Sequence, residues 1–303
     1  MHEMVTGSKE GLSTRRRPLL SIGMAVRNSE DFVIEAIQSV LNQTFEDWEL
    51  ILIDDGSTDD TAGRMRKYRD SRILHIQDGL CKGLSSRLNQ CIDLASGIYF
   101  ARMDGDDVCY PKRFQLQIQY LREHPDIDLL GGGTLVFCDA QNPLGKWIPP
   151  TNHDAICNRT FAGISMAHPS YVGKTSWFRF HHYCEKTVFA QDQDLLLRAW
   201  RTSRFANLQT IVLGYRLKWS LNKSFKTRYY FARILLSEFV LYGESLKGLL
   251  AVIRQVLMCG ADIAAMATGQ QSVLQRCRLQ ALSSLDVLEW QRLCHSIELK
   301  GIV

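Results

Sequence analysis

The N-terminal third of the chain alternates between short apolar runs and segments with helical spacing. Four runs have the length and apolar character of buried strands: residues 19–26, 50–53, 73–76 and 98–101. Three segments between them carry apolar side chains three and four positions apart: residues 29–44, 59–68 and 84–95. Asn28 or Ser29 is placed to cap the first helix. Strands separated by single helices predict an α/β fold, with a mostly parallel sheet flanked by helices on both faces.

The last third of the chain has a different, helical pattern. Residues 229–258 are rich in aromatic and aliphatic side chains, but charged residues interrupt them at short intervals. No uncharged stretch reaches the ~20 residues that cross a bilayer. We therefore predict a C-terminal helical extension over residues 216–303. Two placements stay open: the helices lie on a membrane surface, or they pack against the rest of the protein.

Composition sets wider limits on the protein. A chain of 303 residues, 46% hydrophobic and 22% charged, is typical of a folded protein with one large domain and an extension, or two modest domains. Residues 1–17 are polar, end in three arginines and lack the apolar core of a signal peptide, so we predict a disordered basic tail. The nine cysteines form no CxxC pair, which favours reduced thiols over a disulfide framework or a zinc site.

The net charge of +4 hides a basic block in the C-terminal half. Residues 195–237 contain no Asp or Glu but nine Lys or Arg residues. Such a block attracts phosphate groups or an anionic membrane surface. No helix-turn-helix, zinc-finger or RNA-recognition signature accompanies it, and we therefore expect no nucleic-acid partner.

Two acidic turns carry the candidate chemistry. Asp54 and Asp55 follow the strand at residues 50–53, and the acidic cluster of Asp104, Asp106 and Asp107 follows the strand that ends near residue 101. Because ligands of parallel sheets bind beyond the carboxyl ends of the strands, both turns should line one crevice. Carboxylates held so close repel one another unless a cation such as Mg²⁺ or Mn²⁺ neutralises them, particularly beside a diphosphate ligand. The alternative is an ordinary solvated turn, and for Asp54 a turn-stabilising role is favoured.

Residues 18–215 resemble the family 2 glycosyltransferases, whose GT-A fold is Rossmann-like. The resemblance rests on sequence segments in the right order: residues 21–28, 36–45 and 48–59, Gly83 with Asn89, Ala95 and Gly97, the cluster at residues 104–107 with Pro111, and residues 190–195 with Arg198. It implies a nucleotide-binding half at residues 18–110 and an acceptor half at residues 111–215. It also implies inverting transfer of a sugar from a nucleotide diphosphate, most simply a uridine one, to a glycan or lipid-linked acceptor.

The resemblance also assigns donor-site residues. Donor contacts would come from five positions: Ala25, Asp55, Arg87, Asp104 and Asp106. Asp55 matches the residue that recognises the nucleotide base. Asp104 and Asp106 match the ligands of a Mg²⁺ or Mn²⁺ ion, with Asp107 as a substitute for either. Arg87 matches a position near the phosphates, and an exposed helical arginine is the alternative interpretation.

The acceptor half carries the expected general base. An alcohol is a poor nucleophile, so a carboxylate must take its proton, and the family position is Asp192. Asp194 is the alternative base or acceptor contact, although the usual role of an acid at this position is to face the dipole at the N-terminus of a helix. His168 has a possible acceptor-site role. Two departures from the family pattern stand out: Gln191 replaces a glutamate, and Lys218 stands where relatives carry a histidine, so we assign no metal role to Lys218.

Other functions fit parts of the pattern. The cluster followed by Val108 also fits the nucleophile loop of a haloacid-dehalogenase-type phosphatase, but no clear downstream acidic motif accompanies it. A nucleotidyltransferase needs a glycine-rich basic loop after its first strand, which residues 25–29 lack. Gln191 and Lys218 keep open a catalytically inactive scaffold that binds nucleotide sugar. We expect a cytoplasmic enzyme, at the cytoplasmic face of the inner membrane if the extension binds lipid.

Overall fold

The computed structural model describes residues 17–218, 220–270, 276 and 279–297. The predicted tail at residues 1–17 therefore lies outside the described residues, apart from Arg17. Nine strands are described: β1 (Leu20–Val26), β2 (Trp48–Asp54), β3 (Ile73–Gln77), β4 (Tyr99–Asp104), β5 (Val108–Cys109), β6 (Leu129–Phe137), β7 (Pro143–Trp147), β8 (Val172–Lys174) and β9 (Phe205–Arg216). The longer helices are α1 (Val33–Leu41), α2 (Thr61–Met65), α3 (Leu84–Leu94), α4 (Arg113–Glu123), α5 (His153–Cys157), α6 (Thr175–Phe180), α7 (Gln191–Ala199), α8 (Leu221–Leu241), α9 (Ser245–Ala267) and α10 (Ser284–Ser296).

The strands form one mixed sheet in the order β3-β2-β1-β4-β8-β6-β9-β5, with β7 beside β6. Pairing is parallel across β3, β2, β1 and β4 and again between β6 and β9, whereas β8, β5 and β7 run antiparallel to their neighbours. The predicted α/β fold with a mostly parallel sheet is confirmed. Because β1 is the central strand of the first half, the carboxyl ends of β2 and β4 lie on either side of it.

Hydrophobic clusters cover both faces of the sheet. On one face α1 and α4 bury side chains such as Ile37 and Phe114 against β1 and β2. On the other face α3, α6 and α7 contribute Leu88, Phe178 and Leu196, in that order. The sheet is buried on both sides, which explains why its central strands read as continuous apolar runs rather than alternating ones.

The predicted cap of α1 is wrong. The helix begins at Val33, and no side chain caps its N-terminus. Asn28 instead adopts a left-handed backbone conformation, with φ of 48°, and its Oδ1 accepts a hydrogen bond of 2.9 Å from the Thr58 N–H. Asparagine tolerates this conformation better than most residues. The side chain expected to cap α1 thus connects the loop after β1 to the loop after β2.

The C-terminal helices take two different positions. Helix α10 packs on the sheet through Trp290, which is fully buried beside Phe137 and Tyr110. Helices α8 and α9 pack side by side, and α8 also inserts Leu235 and Phe239 into the core.

Helix α9 is the one described helix that is long and apolar enough, by length and composition alone, to cross a membrane. No charge-free stretch of this length exists in α9, because the helix contains Lys247, Arg254 and Asp262, which is why the sequence pattern did not predict a span. One face of α9 is buried, through residues such as Ala251 and Gln255. Much of its remaining surface consists of exposed aliphatic side chains.

Candidate active site

The crevice forms where β1, β2 and β4 end. In the parallel register Ala25 pairs with Ile53 on one side and with Asp104 on the other, and Val26 pairs with Asp54. Ala25 is buried, so its backbone rather than a long side chain forms the floor between the two acidic turns. The expectation that both turns line the same edge of the sheet therefore agrees with the register.

Asp55 is the anchor of one wall of the crevice. Its carboxylate accepts hydrogen bonds from the Lys82 N–H (2.7 Å) and the Gly83 N–H (3.0 Å), and from Arg87 Nε (2.9 Å). Asp55 and Arg87 are both buried, and Arg87 is fully inaccessible. This ion pair holds the loop before α3 against the end of β2.

Arg87 is not the exposed helical arginine of the alternative interpretation. The remaining N–H groups of its guanidinium donate to Asp78, to Gln90 Oε1 at 2.9 Å and to the Leu80 carbonyl oxygen. The hydrogen bonds with Asp78 raise the pKa of Arg87 and lower that of Asp78. Since every donor of Arg87 is engaged within the protein, its geometry suits positioning of Asp55 better than contact with a phosphate.

Asp54 stabilises the turn, as predicted. Its carboxylate accepts hydrogen bonds from the backbone N–H of Ser57, at 3.3 Å, and from the Ser57 hydroxyl. The hydroxyl of Ser57 also accepts a hydrogen bond of 2.9 Å from the Asn28 N–H. Asp54 therefore shapes the loop after β2.

The acidic cluster converges as the sequence predicted. One carboxylate oxygen each from Asp104, Asp106 and Asp107 lies within 4.8 Å of the others. Gly105 permits the tight turn, because a Cβ at this position would lie 2.2 Å from Val26 Cγ1. Asp107 is buried and is held from β9, where the Arg216 N–H donates to its Oδ1 at 2.8 Å.

The residues of this cluster fit a divalent cation. Burial, followed by the charges of Asp104 and Asp106, raises the pKa of Asp107 well above its ordinary range. Its Oδ2 is buried and has no hydrogen-bond partner among the described residues, so one hard oxygen ligand is left unused by the protein. Asp106 also faces the cation of Lys218, whose Nζ lies 3.1 Å from Oδ2. Lys218 thus places a positive charge beside the cluster.

Arg102 is a central residue that the sequence analysis missed. It lies on β4 two residues before Asp104, is buried, and donates a hydrogen bond to the Asp104 carboxylate. Burial lowers the pKa of Arg102, but the carboxylates, Asp104 first, raise it more, so it stays charged. Its Nε and Nη1 atoms are buried without a partner among the described residues. A strand position between apolar neighbours carried no sequence signal for this role.

Asp192 lies in the first turn of α7 and shares the site with Arg102, whose charge acts on both Asp104 and Asp192. Ala190, two residues before it, adopts a left-handed conformation with φ of 57°, a strained geometry that is common at functional sites. Gln193 Nε2 donates to Asp192 Oδ2 at 3.2 Å and to the Ile164 carbonyl oxygen at 3.2 Å. Burial raises the pKa of Asp192, and the hydrogen bonds from Gln193 offset part of that rise.

His168 and Asp194 have different surroundings. His168 Nε2 lies 2.8 Å from the hydroxyl of Tyr183, and burial, followed by the charge of Arg102, lowers its pKa well below the ordinary value. His168 is therefore a neutral side chain beside the site. Asp194 accepts a hydrogen bond of 3.0 Å from Arg198 Nε one turn along α7, and it borders a separate cavity with Arg233. This position matches the alternative of a first-turn acid.

Comparison with known proteins decides the family. The profile of "Glycosyl transferase family 2" matches residues 21–179, which contain the whole crevice up to the acidic cluster. The chain belongs to glycosyl transferase family 2. The phosphatase alternative is thereby set aside, and the protein is a glycosyltransferase.

Relatives of this glycosyltransferase assemble bacterial glycans. The O-antigen biosynthesis glycosyltransferase WbnJ of Escherichia coli is 30% identical over 242 residues, which cover 76% of this chain and 92% of WbnJ. The UDP-Glc:alpha-D-GlcNAc-diphosphoundecaprenol beta-1,3-glucosyltransferase WfaP of E. coli is 37% identical over 103 residues, 34% of this chain and 41% of WfaP.

A solved structure confirms the fold of this glycosyltransferase. The mannosyltransferase PcManGT of Pyrobaculum calidifontis, in complex with GDP-Man and Mn²⁺, superposes with a TM-score of 0.57 at 14% identity. The similarity covers 94% of this chain and 86% of PcManGT. At this identity the comparison concerns the fold, and it shows that a glycosyltransferase of this fold binds a divalent metal.

Proposed function

We propose that this glycosyltransferase moves a sugar from a uridine diphosphate donor to a lipid-linked glycan acceptor, with inversion, at the cytoplasmic face of a bacterial membrane. The single observation that carries the proposal is the acidic cluster at the carboxyl end of β4, with Arg102 buried against Asp104. The charge of Arg102 also acts on Asp192. The acidic cluster provides a binding site for the diphosphate leaving group, and Asp192 provides a base for the acceptor hydroxyl. The names of WfaP and WbnJ support the donor class, the acceptor class and the role in polysaccharide assembly.

The donor half of the site binds and orients the nucleotide diphosphate. Asp55, fixed by Arg87 and the loop at residues 82–83, accepts an N–H of the base, and the backbone of Ala25 forms the floor. A divalent cation held by Asp104, Asp106 and Asp107 would neutralise charge on the departing diphosphate. Burial raises the pKa of Asp104, and the charge of Arg102, which donates a hydrogen bond that orients the carboxylate, opposes that rise.

The acceptor half prepares the nucleophile. Asp192 takes the proton of the acceptor hydroxyl as that oxygen attacks the anomeric carbon from the face opposite the diphosphate. Gln193 fixes the Asp192 carboxylate, and neutral His168, held by Tyr183, can hydrogen-bond an acceptor hydroxyl without adding charge. Gln191 donates to the Val188 carbonyl oxygen at 2.6 Å, so it supports the turn before Asp192.

The proposal is tested by calorimetric titration of the protein with UDP and with GDP, with and without Mn²⁺. We expect Mn²⁺-dependent binding of UDP that is lost in Asp106→Asn, a substitution that keeps the shape of the side chain. Asp59→Asn, which changes an acid of the loop after β2 outside the cluster, is the matched control and should bind UDP as the parent does. Failure to bind either nucleotide would refute the donor site, and binding of GDP alone would refute the uridine assignment.

A further inference from the structure

A cationic cavity of about 450 Å³ lies between the end of β9 and helices α8 and α9. Its lining is rich in positive charge and hydroxyl groups: Lys218, Lys223, Arg228, Arg254, Ser220, Ser224 and Thr227. No Asp or Glu is among the described residues that line it, although Asp262 holds Arg228 from behind at 2.8 Å. A concave surface with this lining suits a polyanion that carries several oxygen acceptors.

The cationic cavity adjoins the catalytic edge of the sheet. Lys218, on its rim, lies 3.1 Å from Asp106, and the charge of Lys223 acts on Asp104. Ala162 and Phe231 also line the cavity. A Cβ at the neighbouring Gly163 would lie 3.0 Å from Phe231 Cζ and 2.9 Å from Oε1 of Gln193, the residue that fixes Asp192. A ligand in the cavity therefore lies beside the acidic cluster and beside the general base.

Gln255 is an independent sign of a ligand. This residue of α9 lines the cationic cavity and is only 3% exposed, yet its Nε2 has no hydrogen-bond partner among the described residues. A buried amide donor without an acceptor is destabilising, and such groups are rare in folded proteins. A bound oxygen acceptor would satisfy it.

An apolar groove of about 400 Å³ continues from the cationic cavity, and Arg228 and Gln255 line both. The other lining residues are nearly all apolar or aromatic: Phe225, Tyr229, Ala232, Leu236, Val252, Val256 and Cys259, with Arg233 at the edge. The groove leads onto the exposed apolar surface of α9, where Val256 is 65% and Leu257 is 69% exposed. Polar and apolar surfaces thus meet at two shared residues.

We propose that the cationic cavity binds the diphosphate of a prenyl-diphosphate-linked acceptor and that the apolar groove binds the adjoining part of its isoprenoid chain. The inference rests on the proposed function, because it assigns the acceptor of that same site. Such an acceptor presents a sugar, a diphosphate and an apolar chain in series. The protein presents Asp192, the cationic cavity and the apolar groove in the same series, which matches the order of the three chemical groups.

The test uses farnesyl diphosphate as the probe and the full chain saturated with UDP and Mn²⁺. Calorimetry compares the parent protein with Arg254→Gln and Gln255→Glu, which keep side-chain size, and with the control Lys247→Ala, an exposed cation of the same helix that pairs only with Glu244 in the described contacts. Loss of a charge-assisted hydrogen bond predicts about tenfold to hundredfold weaker binding in the first two variants. The control should stay within about twofold, and inorganic pyrophosphate should bind more weakly than farnesyl diphosphate because it lacks the apolar chain.

Each of the following results would overturn the inference. Binding of farnesyl diphosphate only when UDP is omitted would assign the cationic cavity to the donor. Equal weakening by Lys247→Ala would indicate diffuse surface charge of the kind that attracts lipid headgroups. Unchanged binding in Arg254→Gln and Gln255→Glu would show that farnesyl diphosphate does not bind in the cationic cavity. UDP binding, measured in every variant, reports correct folding. Its loss in the parent protein would refute the proposed function, whereas UDP binding without farnesyl diphosphate binding refutes only this inference.

Discussion

Replacement of Arg87 by methionine tests how the donor wall is built. The substitution keeps the length of the aliphatic stem but removes a fully buried guanidinium that joins Asp55, Asp78 and the Leu80 carbonyl group. Asp55 would then keep its charge in a site where its side chain is only 7% exposed. Both the stability of the protein and its affinity for UDP should fall.

The magnitude follows from the burial of each partner. Removing one member of a buried ion pair costs about 3–5 kcal/mol. Asp55 retains two backbone N–H donors, from Lys82 and Gly83, which favours the lower end of that range. Asp78 is 30% exposed and regains water, so its share is that of a surface pair, below about 1 kcal/mol. We expect Arg87→Met to lower the free energy of unfolding by about 3 kcal/mol.

Urea unfolding followed by tryptophan fluorescence measures this change. Arg64→Met is the matched control, because Arg64 also faces an aspartate, Asp60, but at 3.9 Å and with both side chains exposed. The control should change the free energy of unfolding by less than about 0.5 kcal/mol. A loss below about 1 kcal/mol for Arg87→Met would refute the argument that this ion pair holds the donor wall together.

Three further predictions concern the base, the cation and the last helix. Asp192→Asn should lower kcat about 10²- to 10⁴-fold with UDP binding unchanged. Burial raises the pKa of Asp192, and a general base must be deprotonated. As the pH is lowered, kcat/KM of the parent should therefore start to fall at a higher pH than it would with an ordinary aspartate. The affinity for UDP, titrated separately, should not fall over the same pH range. Lys218→Ala should tighten Mn²⁺ binding, measured by electron paramagnetic resonance, about tenfold, because it removes a cation beside Asp106; unchanged affinity would contradict this. Trp290→Ala should cost about 3–5 kcal/mol in urea unfolding, whereas exposed Leu288→Ala on the same helix should cost under about 0.5 kcal/mol; equal losses would show that α10 does not dock through Trp290.

The first half of the fold follows from its local pattern. Strands β1 to β4 alternate with helices in a repeated unit. Apolar runs and helical spacing therefore predict both these elements and the parallel direction of the strands. The acidic turns could be placed for the same reason, since parallel strands end at one edge. The second half mixes parallel and antiparallel strands, such as β8 between β4 and β6, and no local pattern encodes that pairing.

Some site residues could be predicted from local sequence spacing, whereas others depend on tertiary contacts. Asp104 and Asp106 could be predicted from the sequence, because they are two residues apart directly after a predicted strand. Arg102 and Gln193 do not, because their roles depend on partners brought close by tertiary structure: Asp104 for Arg102, and Asp192 with Ile164 for Gln193. Arg87 could be named from the sequence, but its burial and its engagement with Asp55 and Asp78 could not.

The packing of α10 connects the last helix to the acidic cluster through Phe137 and Arg216. Phe137 lies 4.6 Å, ring to ring, from Trp290 and 4.6 Å from the guanidinium of Arg216, whose backbone N–H holds Asp107. The last helix therefore belongs to the scaffold beneath the acidic cluster. A chimera that joins residues 18–215 to the C-terminal segment of a relative would inherit a working cluster only if the new segment refills the site of Trp290.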